Sequence, residues 1–316
     1  MASLSPVPYT GPAVAIVGPT ACGKTRRAVE VAGMAGGEII SADSRQVYRH
    51  MDIGTGKDLE EYGKIAYHLI DVREAGDRYN LHQYLRDFRT AYDQIRSRGN
   101  VPVICGGTGM YVENAVRGIV LPEVPEDPAL RERLKAYQLD ELAEILAGYK
   151  ELHNITDIDT KARAIRAIEI QEYYRQHPEK AVEASYAGAR PLDCVVVGLD
   201  IPRESRRSRI TARLRQRLDE GMVDEIKNIL DSGVPADDLI YYGLEYKYVT
   251  LHAIGKLSYQ EMFSQLETAI HQFAKRQMTW FRGMAKRGTT IHWLPYDMPT
   301  DLFLKEVEKL IKSRSL

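Results

Sequence analysis

Cysteine is scarce in this chain. The 316 residues contain three, Cys22, Cys105 and Cys194. They are odd in number, far apart and set mostly in apolar strand-like runs, which argues against a disulfide framework and against a zinc site. Long hydrophobic runs are missing as well. No stretch approaches the roughly 18 apolar residues of a membrane span, and Met1 to Thr10 has neither the basic nor the apolar region of a secretion signal. A reduced, cytoplasmic protein with no membrane partner is expected. Net charge is nearly absent too: 43 Lys and Arg face 44 Asp and Glu, leaving -1. That balance excludes indiscriminate nucleic-acid binding and leaves local basic patches as the means of making a specific site. There are no repeats or low-complexity tracts. What is present is a chain with 44% hydrophobic residues, enough to bury a substantial core in one large domain or two smaller ones.

Short β-rich runs alternate with helical patterns: Ala13 to Gly18, Glu38 to Asp43, Ala66 to Asp71, Val101 to Gly107 and Asp193 to Asp200. The alternation predicts an α/β fold with a parallel sheet flanked by helices on both faces. In the clearest helix Leu81, Tyr84, Leu85, Phe88, Tyr92 and Ile95 recur at helical spacing, Asn80 is placed to cap it and Gly99 to stop it. Its aromatic stripe reads as core. The rhythm breaks at the proline-rich Leu121 to Pro128, turns helical from Ala129 to about His177, and loosens through Ala184 to Arg190. A last strand is expected near Thr290 to Leu294. The expected organisation is a core of residues 11–124 and 191–300, a small all-helical insertion at 125–190, and a C-terminal helix at 301–316.

Gly18-Pro19-Thr20-Ala21-Cys22-Gly23-Lys24-Thr25 is a full G-x-x-x-x-G-K-[ST] phosphate loop, placed between the first strand and a helix. Its backbone N–H groups and the helix N-terminus attract anions. Lys24 is suited to neutralise phosphate oxygens, and the Thr25 hydroxyl to ligate Mg²⁺. ATPases and GTPases add a carboxylate at another strand end. Here the run Val101 to Cys105 leads instead into Gly106-Gly107-Thr108-Gly109. The carboxylate that does stand at a strand end is Asp43, expected to face the phosphate loop across the crevice where α/β sheets bind ligands. A turn or capping aspartate is the plainer alternative.

The phosphate loop, Asp43-Ser-Arg-Gln-Val-Tyr48, Met51-Asp-Ile-Gly-Thr55, Gly106-Gly-Thr-Gly-Met-Tyr111 and Ala274-Lys-Arg-Gln-Met-Thr-Trp-Phe-Arg282 together resemble the tRNA dimethylallyltransferases, in family order over nearly the whole chain. The resemblance implies a P-loop prenyltransferase. It would move a dimethylallyl group from its diphosphate to the exocyclic amine of the adenine 3′ of the anticodon, with Mg²⁺ as cofactor and the anticodon stem-loop of tRNA as partner. It implies that Gly18 to Thr25 and Arg213 hold the diphosphate, that Thr25 carries the metal, and that Asp43 takes the amine proton. Asp43, Ser44, Arg45, Gln46 and Thr108, with Arg163 and Arg166 in the insertion, would contact tRNA, and the protein would act as a monomer. Three departures from the family pattern stand out: Cys22 in place of serine; an insertion without the His-Pro-Asn-Asp stretch that precedes the family's arginines, although Arg163, Arg166 and Glu169 keep the later spacing; and Ile270-His271 in place of Thr-Arg together with Tyr242-Gly243-Leu-Glu245 in place of Gly-Tyr-x-Glu.

The Arg-rich run Arg203 to Arg217 and the segment from Lys275-Arg276 to Lys286-Arg287 offer positive surface for RNA. Trp280 and Phe281 could stack on a splayed base, but core packing is the expectation for both rings. Rival readings are prenyl transfer to free adenine nucleotides, a small-molecule kinase binding ATP at the phosphate loop, and a non-catalytic nucleotide-binding module.

Overall fold

The computed structural model describes residues 8–151, 158–184 and 189–314. Among the described residues six strands form one parallel sheet: β1 (Ala13–Val17), β2 (Gly37–Ser41), β3 (Tyr67–His68), β4 (Val101–Gly106), β5 (Cys194–Asp200) and β6 (Ile291–Pro295). Their order is β3-β2-β4-β1-β5-β6. β1 and β4 are buried from end to end, as strands covered on both faces must be, which is why they read as continuous apolar runs rather than alternating ones. The third strand is shorter than its sequence suggests. Leu69 and Asp71 take φ of 63° and 56°, values incompatible with extended backbone, so of Ala66 to Asp71 the strand keeps Tyr67 and His68.

Helix α1 (Lys24–Ala35) packs Ala28 and Val31 into a cluster with Val14, Ile16, Ile39, Val103 and Val197 of the sheet, joined by Phe303 and Val307 of the C-terminal helix. Helix α2 (Leu81–Ser97) buries the aromatic stripe, Tyr84, Phe88 and Tyr92 included, against β2 and β4. Asn80 caps it by accepting the Gln83 N–H at 3.0 Å while the Gln83 side chain accepts the Asn80 N–H, and Gly99 at φ 81° turns the chain away. Helix α3 (Gly109–Val116) follows β4.

Contacts divide the chain into two units, Met1–Val116 with Pro191–Leu316, and Arg117–Arg190. The second contains α4 (Pro128–Leu134), α5 (Leu139–Ala147), α6 (Lys161–Gln176) and α7 (Pro178–Glu183). Its core is Leu130, Leu134, Leu142, Leu146, Ile165 and Ile168. The buried Glu169 ties it together, accepting from Arg131, from Arg166 and from the Asp127 N–H. The loosening expected through Ala184 to Arg190 falls at 185–188 outside the described residues, as do the first seven residues and the last two.

In the first unit the chain continues after β5 through α8 (Arg203–Asp219), α9 (Met222–Asp231), α10 (Ala236–Tyr241), α11 (Leu244–Ala253) and α12 (Tyr259–Lys286), then β6 and α13 (Thr300–Arg314). Among the described residues no helix is long and apolar enough to cross a membrane.

Candidate active site

The strands β1, β4 and β2 end abreast, with Val17 beside Gly106 and Cys105 beside Ser41. The loops that follow them therefore open at one end of the sheet, where backbone N–H groups and helix N-termini collect. A cleft of about 490 Å³ lies there. Thr20, Lys24 and Thr25 line it from the phosphate loop and α1, Asp43 to Gln46 from the loop after β2, Cys105 to Met110 from β4 onward, and Arg213 from α8. Asp43 and Lys24 thus face one crevice. The rest of the phosphate loop, Gly18, Pro19, Ala21, Cys22 and Gly23, stands behind this lining and contributes backbone. The Pro19 carbonyl accepts from Lys24 Nζ at 2.7 Å and the Ala21 carbonyl from Arg209 Nε at 2.8 Å. Cys22 is buried, and burial pushes its thiol pKa up. Burial likewise pushes Cys105, at the floor of the cleft, up to about 12, so neither sulfur offers a thiolate nucleophile at neutral pH.

Asp43 combines both readings of its position. One carboxylate oxygen accepts the Arg45 N–H at 2.9 Å, a turn-forming bond two residues along the chain, while the side chain also lines the cleft. The turn bond engages Oδ1 and leaves the other oxygen without a hydrogen bond among the described residues. Thr108 holds the neighbouring segment: its hydroxyl accepts the Ser44 N–H at 3.1 Å, and its own N–H reaches the Ala42 carbonyl at 3.2 Å. The close approach of the two loops requires glycine, since a Cβ at Gly106 would strike the Ala42 backbone. The Gln46 side chain is directed inward, accepting from Ser41 Oγ and donating to the Gly56 carbonyl, both at 3.0 Å. It braces the loop with one N–H and its carbonyl oxygen. Arg45 lines the cleft and lies over the exposed Tyr241 ring at 5.7 Å. Arg213 pairs with Asp58 at the rim. In the insertion, Arg163 pairs with Asp159, and Arg166 is tied to Glu169 and to the Val124 carbonyl.

The sequence motifs did not reveal several residues that hold the site. Gln277 on α12 accepts the Thr20 N–H at 2.8 Å and donates to the Gly107 carbonyl at 2.9 Å, linking the phosphate loop to the loop after β4. The clue in the sequence was its place inside the Ala274 to Arg282 motif, and the structure sets it in a buried stripe with Ala274, Met278 and Phe281, where an amide needs a reason. Glu225 on α9 gathers the N–H groups of Asp52, Ile53 and Gly54 at 2.8, 2.7 and 3.0 Å, fixing the loop that brings Gly54 to Gly56 to the cleft. Lys57 is fully buried and donates to the Tyr48 carbonyl at 2.7 Å and to Asp52 and Asp71. Nothing local in the sequence marks either.

One expectation needs correction, and one departure from the family pattern finds its place. Phe281 is indeed core, with no exposed surface, but Trp280 is 40% exposed and lines the cleft. Neighbours on a helix point about 100° apart, so one face cannot take both rings. In the Tyr242-Gly243 departure, Tyr242 turns into the protein. Its ring lies 4.4 Å from that of Tyr48, and its hydroxyl bonds the Gly76 N–H and the Asp77 carbonyl, both at 2.7 Å.

A family model described as IPP transferase matches residues 46–284, and one described as isopentenyl transferase matches residues 12–66. The chain is similar to tRNA dimethylallyltransferase 1 of Porphyromonas gingivalis, 57% identical over 301 residues that cover 94% of this chain and 98% of that protein. It is also similar to tRNA dimethylallyltransferase 2 of Bacteroides fragilis, 55% identical over 303 residues covering 95% and 97%. Among solved structures, the full-length tRNA isopentenylpyrophosphate transferase of Bacillus halodurans aligns with a TM-score of 0.71 at 30% identity, covering 97% of this chain and 98% of that one. A eukaryotic dimethylallyltransferase acting on tRNA aligns with a TM-score of 0.75 at 20% identity over 97% and 78%, a likeness of fold.

Proposed function

The chain belongs to the IPP transferase family, and from that premise we propose that it transfers a dimethylallyl group from dimethylallyl diphosphate to the exocyclic amine of the adenine 3′ of the anticodon in tRNA. One observation carries the reading: a single cleft in which the anion-gripping set Lys24, Thr25 and Arg213 faces the carboxylate of Asp43. Gly18 to Thr25 and Arg213 hold the diphosphate. The adenine amine attacks the allylic carbon, whose bond to the diphosphate oxygen breaks with its electron pair leaving on the diphosphate. Asp43 accepts the proton that the amine releases. Lys24 and Arg213 meet the charge that grows on the departing group.

Among the described residues no three His, Cys, Asp or Glu side chains gather to cage a metal. The cleft presents the Thr25 hydroxyl beside Lys24 instead. Such a donor set fits Mg²⁺, which takes few protein ligands and is held largely by substrate phosphates and water. Bound there, the ion supplies further charge neutralisation to the diphosphate.

On the acceptor side, Ser44, Arg45 and Thr108 stand at the cleft, and Arg163 and Arg166 are the insertion's contribution to the RNA backbone. The exposed Trp280 provides a stacking surface for a base drawn out of the anticodon loop. The same reading places the protein in the cytoplasm as a monomer. The test is a competition in which AMP and an unmodified adenine-bearing anticodon stem-loop share one pool of dimethylallyl diphosphate with Mg²⁺, followed by mass spectrometry of the nucleosides. Prenylated adenosine in the RNA is the expected product. Preferential prenylation of AMP would replace tRNA by free nucleotide as acceptor.

A further inference from the structure

Helix α8 presents Arg209, Arg213 and Arg217 at four-residue spacing, hence along one face. Two of them are engaged, Arg209 with the Ala21 carbonyl and Arg213 with Asp58. Arg217 differs. It lines the same cleft as Lys24, Thr25 and Arg213, its Nε is sealed from solvent without a hydrogen-bond partner, and it forms no ion pair among the described residues.

Its guanidinium end is nevertheless well placed. A Cβ at Gly56, where φ is 61°, would collide with Nη2 of Arg217 and lie 3.1 Å from Nη2 of Arg213. The two arginines therefore converge over a residue that has no side chain. Burial, and then the Arg213 charge, hold the Arg217 pKa below the ordinary arginine value, yet arginine remains protonated in proteins. Asp58 is engaged by Arg213 and offsets part of the charge, but two cations brought together in a partly buried cleft still favour a further anion between them. Glu245, which also lines the cleft, lies beyond ion-pair distance, and burial pushes its own carboxyl upward despite the Arg217 charge. Among the described residues the protein thus leaves a planar, fork-shaped cation without a hydrogen-bonded anionic partner beside the phosphate loop, with Glu245, Asp58 and Glu220 acting on it from farther away.

We propose that Arg217 is a second diphosphate-binding arginine, closing with Arg213 on the diphosphate of the prenyl donor. The inference rests on the reading of this cleft as the donor site. A diphosphate offers oxygens enough for two guanidinium forks, each able to bond in a paired geometry that lysine cannot reproduce. Because the leaving group and the released product are chemically alike, Arg217 acts on inorganic diphosphate as well as on the donor.

The experiment is calorimetric titration of the intact chain with inorganic diphosphate in Mg²⁺ buffer, and separately with the anticodon stem-loop. The variants are Arg217→Met, Arg217→Lys and Lys24→Ala. Arg217→Met keeps length without charge and is expected to weaken diphosphate binding about 10- to 100-fold, the worth of a charged hydrogen-bonding pair, with stem-loop affinity and melting temperature unchanged. Arg217→Lys is expected to lose less, and it carries the test if the Met variant does not fold. Wild-type diphosphate affinity in both Arg217 variants, with loss in Lys24→Ala, would overturn the role of Arg217 alone. Wild-type affinity in Lys24→Ala would overturn the donor site itself. Loss of stem-loop affinity in place of diphosphate affinity would assign Arg217 to an RNA phosphate and also overturn the proposal.

Discussion

The side-chain oxygen of Gln277 accepts the backbone N–H of Thr20 at 2.8 Å, across 257 residues of chain. Since the same amide donates to the Gly107 carbonyl, the long helix α12 sets the spacing between the phosphate loop and the loop carrying Thr108. Gln277→Leu leaves a buried donor and a buried acceptor unpaired. It should destabilise the protein by about 1–3 kcal/mol and raise KM for the prenyl donor, because the phosphate loop loses its brace. Gln277→Glu retains the acceptor for Thr20 but sets an oxygen against the Gly107 carbonyl, so it should fall between Leu and wild type in donor KM. Melting curves and steady-state kinetics check both, and unchanged donor KM in the Leu variant would refute a functional brace.

Asp43→Asn preserves the turn, since an amide oxygen can still accept the Arg45 N–H, and removes the base. Transfer should slow by about 10²- to 10⁴-fold with donor affinity intact. Single-turnover rates measure this directly. Turnover near wild type would remove Asp43 from the chemistry.

Lys24→Ala and Arg213→Ala remove groups that meet charge developing on the leaving diphosphate, so kcat/KM for the donor should fall by more than ground-state affinity does. Chelation of Mg²⁺ should be at least as harmful. Equal losses in affinity and in kcat/KM would mean that these groups bind the donor uniformly, and a rate indifferent to chelator would remove the metal role of Thr25.

The neighbours Trp280 and Phe281 should behave oppositely. Trp280→Ala is expected to weaken stem-loop binding about 10- to 100-fold, as loss of one stacked base would, with little change in melting temperature. Phe281, fully buried, should cost about 3–5 kcal/mol of stability when cut to Ala. Filter binding and thermal melts on the two variants separate the outcomes. A Trp280 variant that melts early but binds RNA normally would make that ring structural.

Glu38 predicts a pH dependence. Burial works against its charge, but hydrogen bonds from Arg98, Asn100 and His68 outweigh it and hold its pKa at about 2. A carboxyl depressed in the folded state stabilises fully above its unfolded pKa, about 4.3, and progressively less as pH falls toward 2. Glu38→Gln should therefore melt below wild type at pH 7, with the gap closing between about pH 5 and pH 2. A gap that stays constant over that range would show that the charge contributes nothing.

The strands, the phosphate loop and the helix from Asn80 to Gly99 could be read from sequence because their causes are local: unbroken apolar runs, a glycine-rich turn between strand and helix, a capping residue and a glycine stop. The position of Asp43 followed from the same logic, since a residue just past a parallel strand has one end of the sheet to face. What the sequence could not disclose depends on partners far along the chain. Gln277 meets Thr20, Glu225 meets the Asp52 to Gly54 backbone from 171 to 173 residues away, and Arg217 ends over Gly56. Arg166, which the resemblance gives as a tRNA contact, is tied by the fold to Glu169. The tertiary structure decided which of two adjacent aromatic rings faced the cleft and which amide served as a brace, because burial and pairing of a side chain are properties of the elements that pack around it. The sequence by itself determined the elements and the chemistry they carry, since helix, strand and turn preferences act over a few residues.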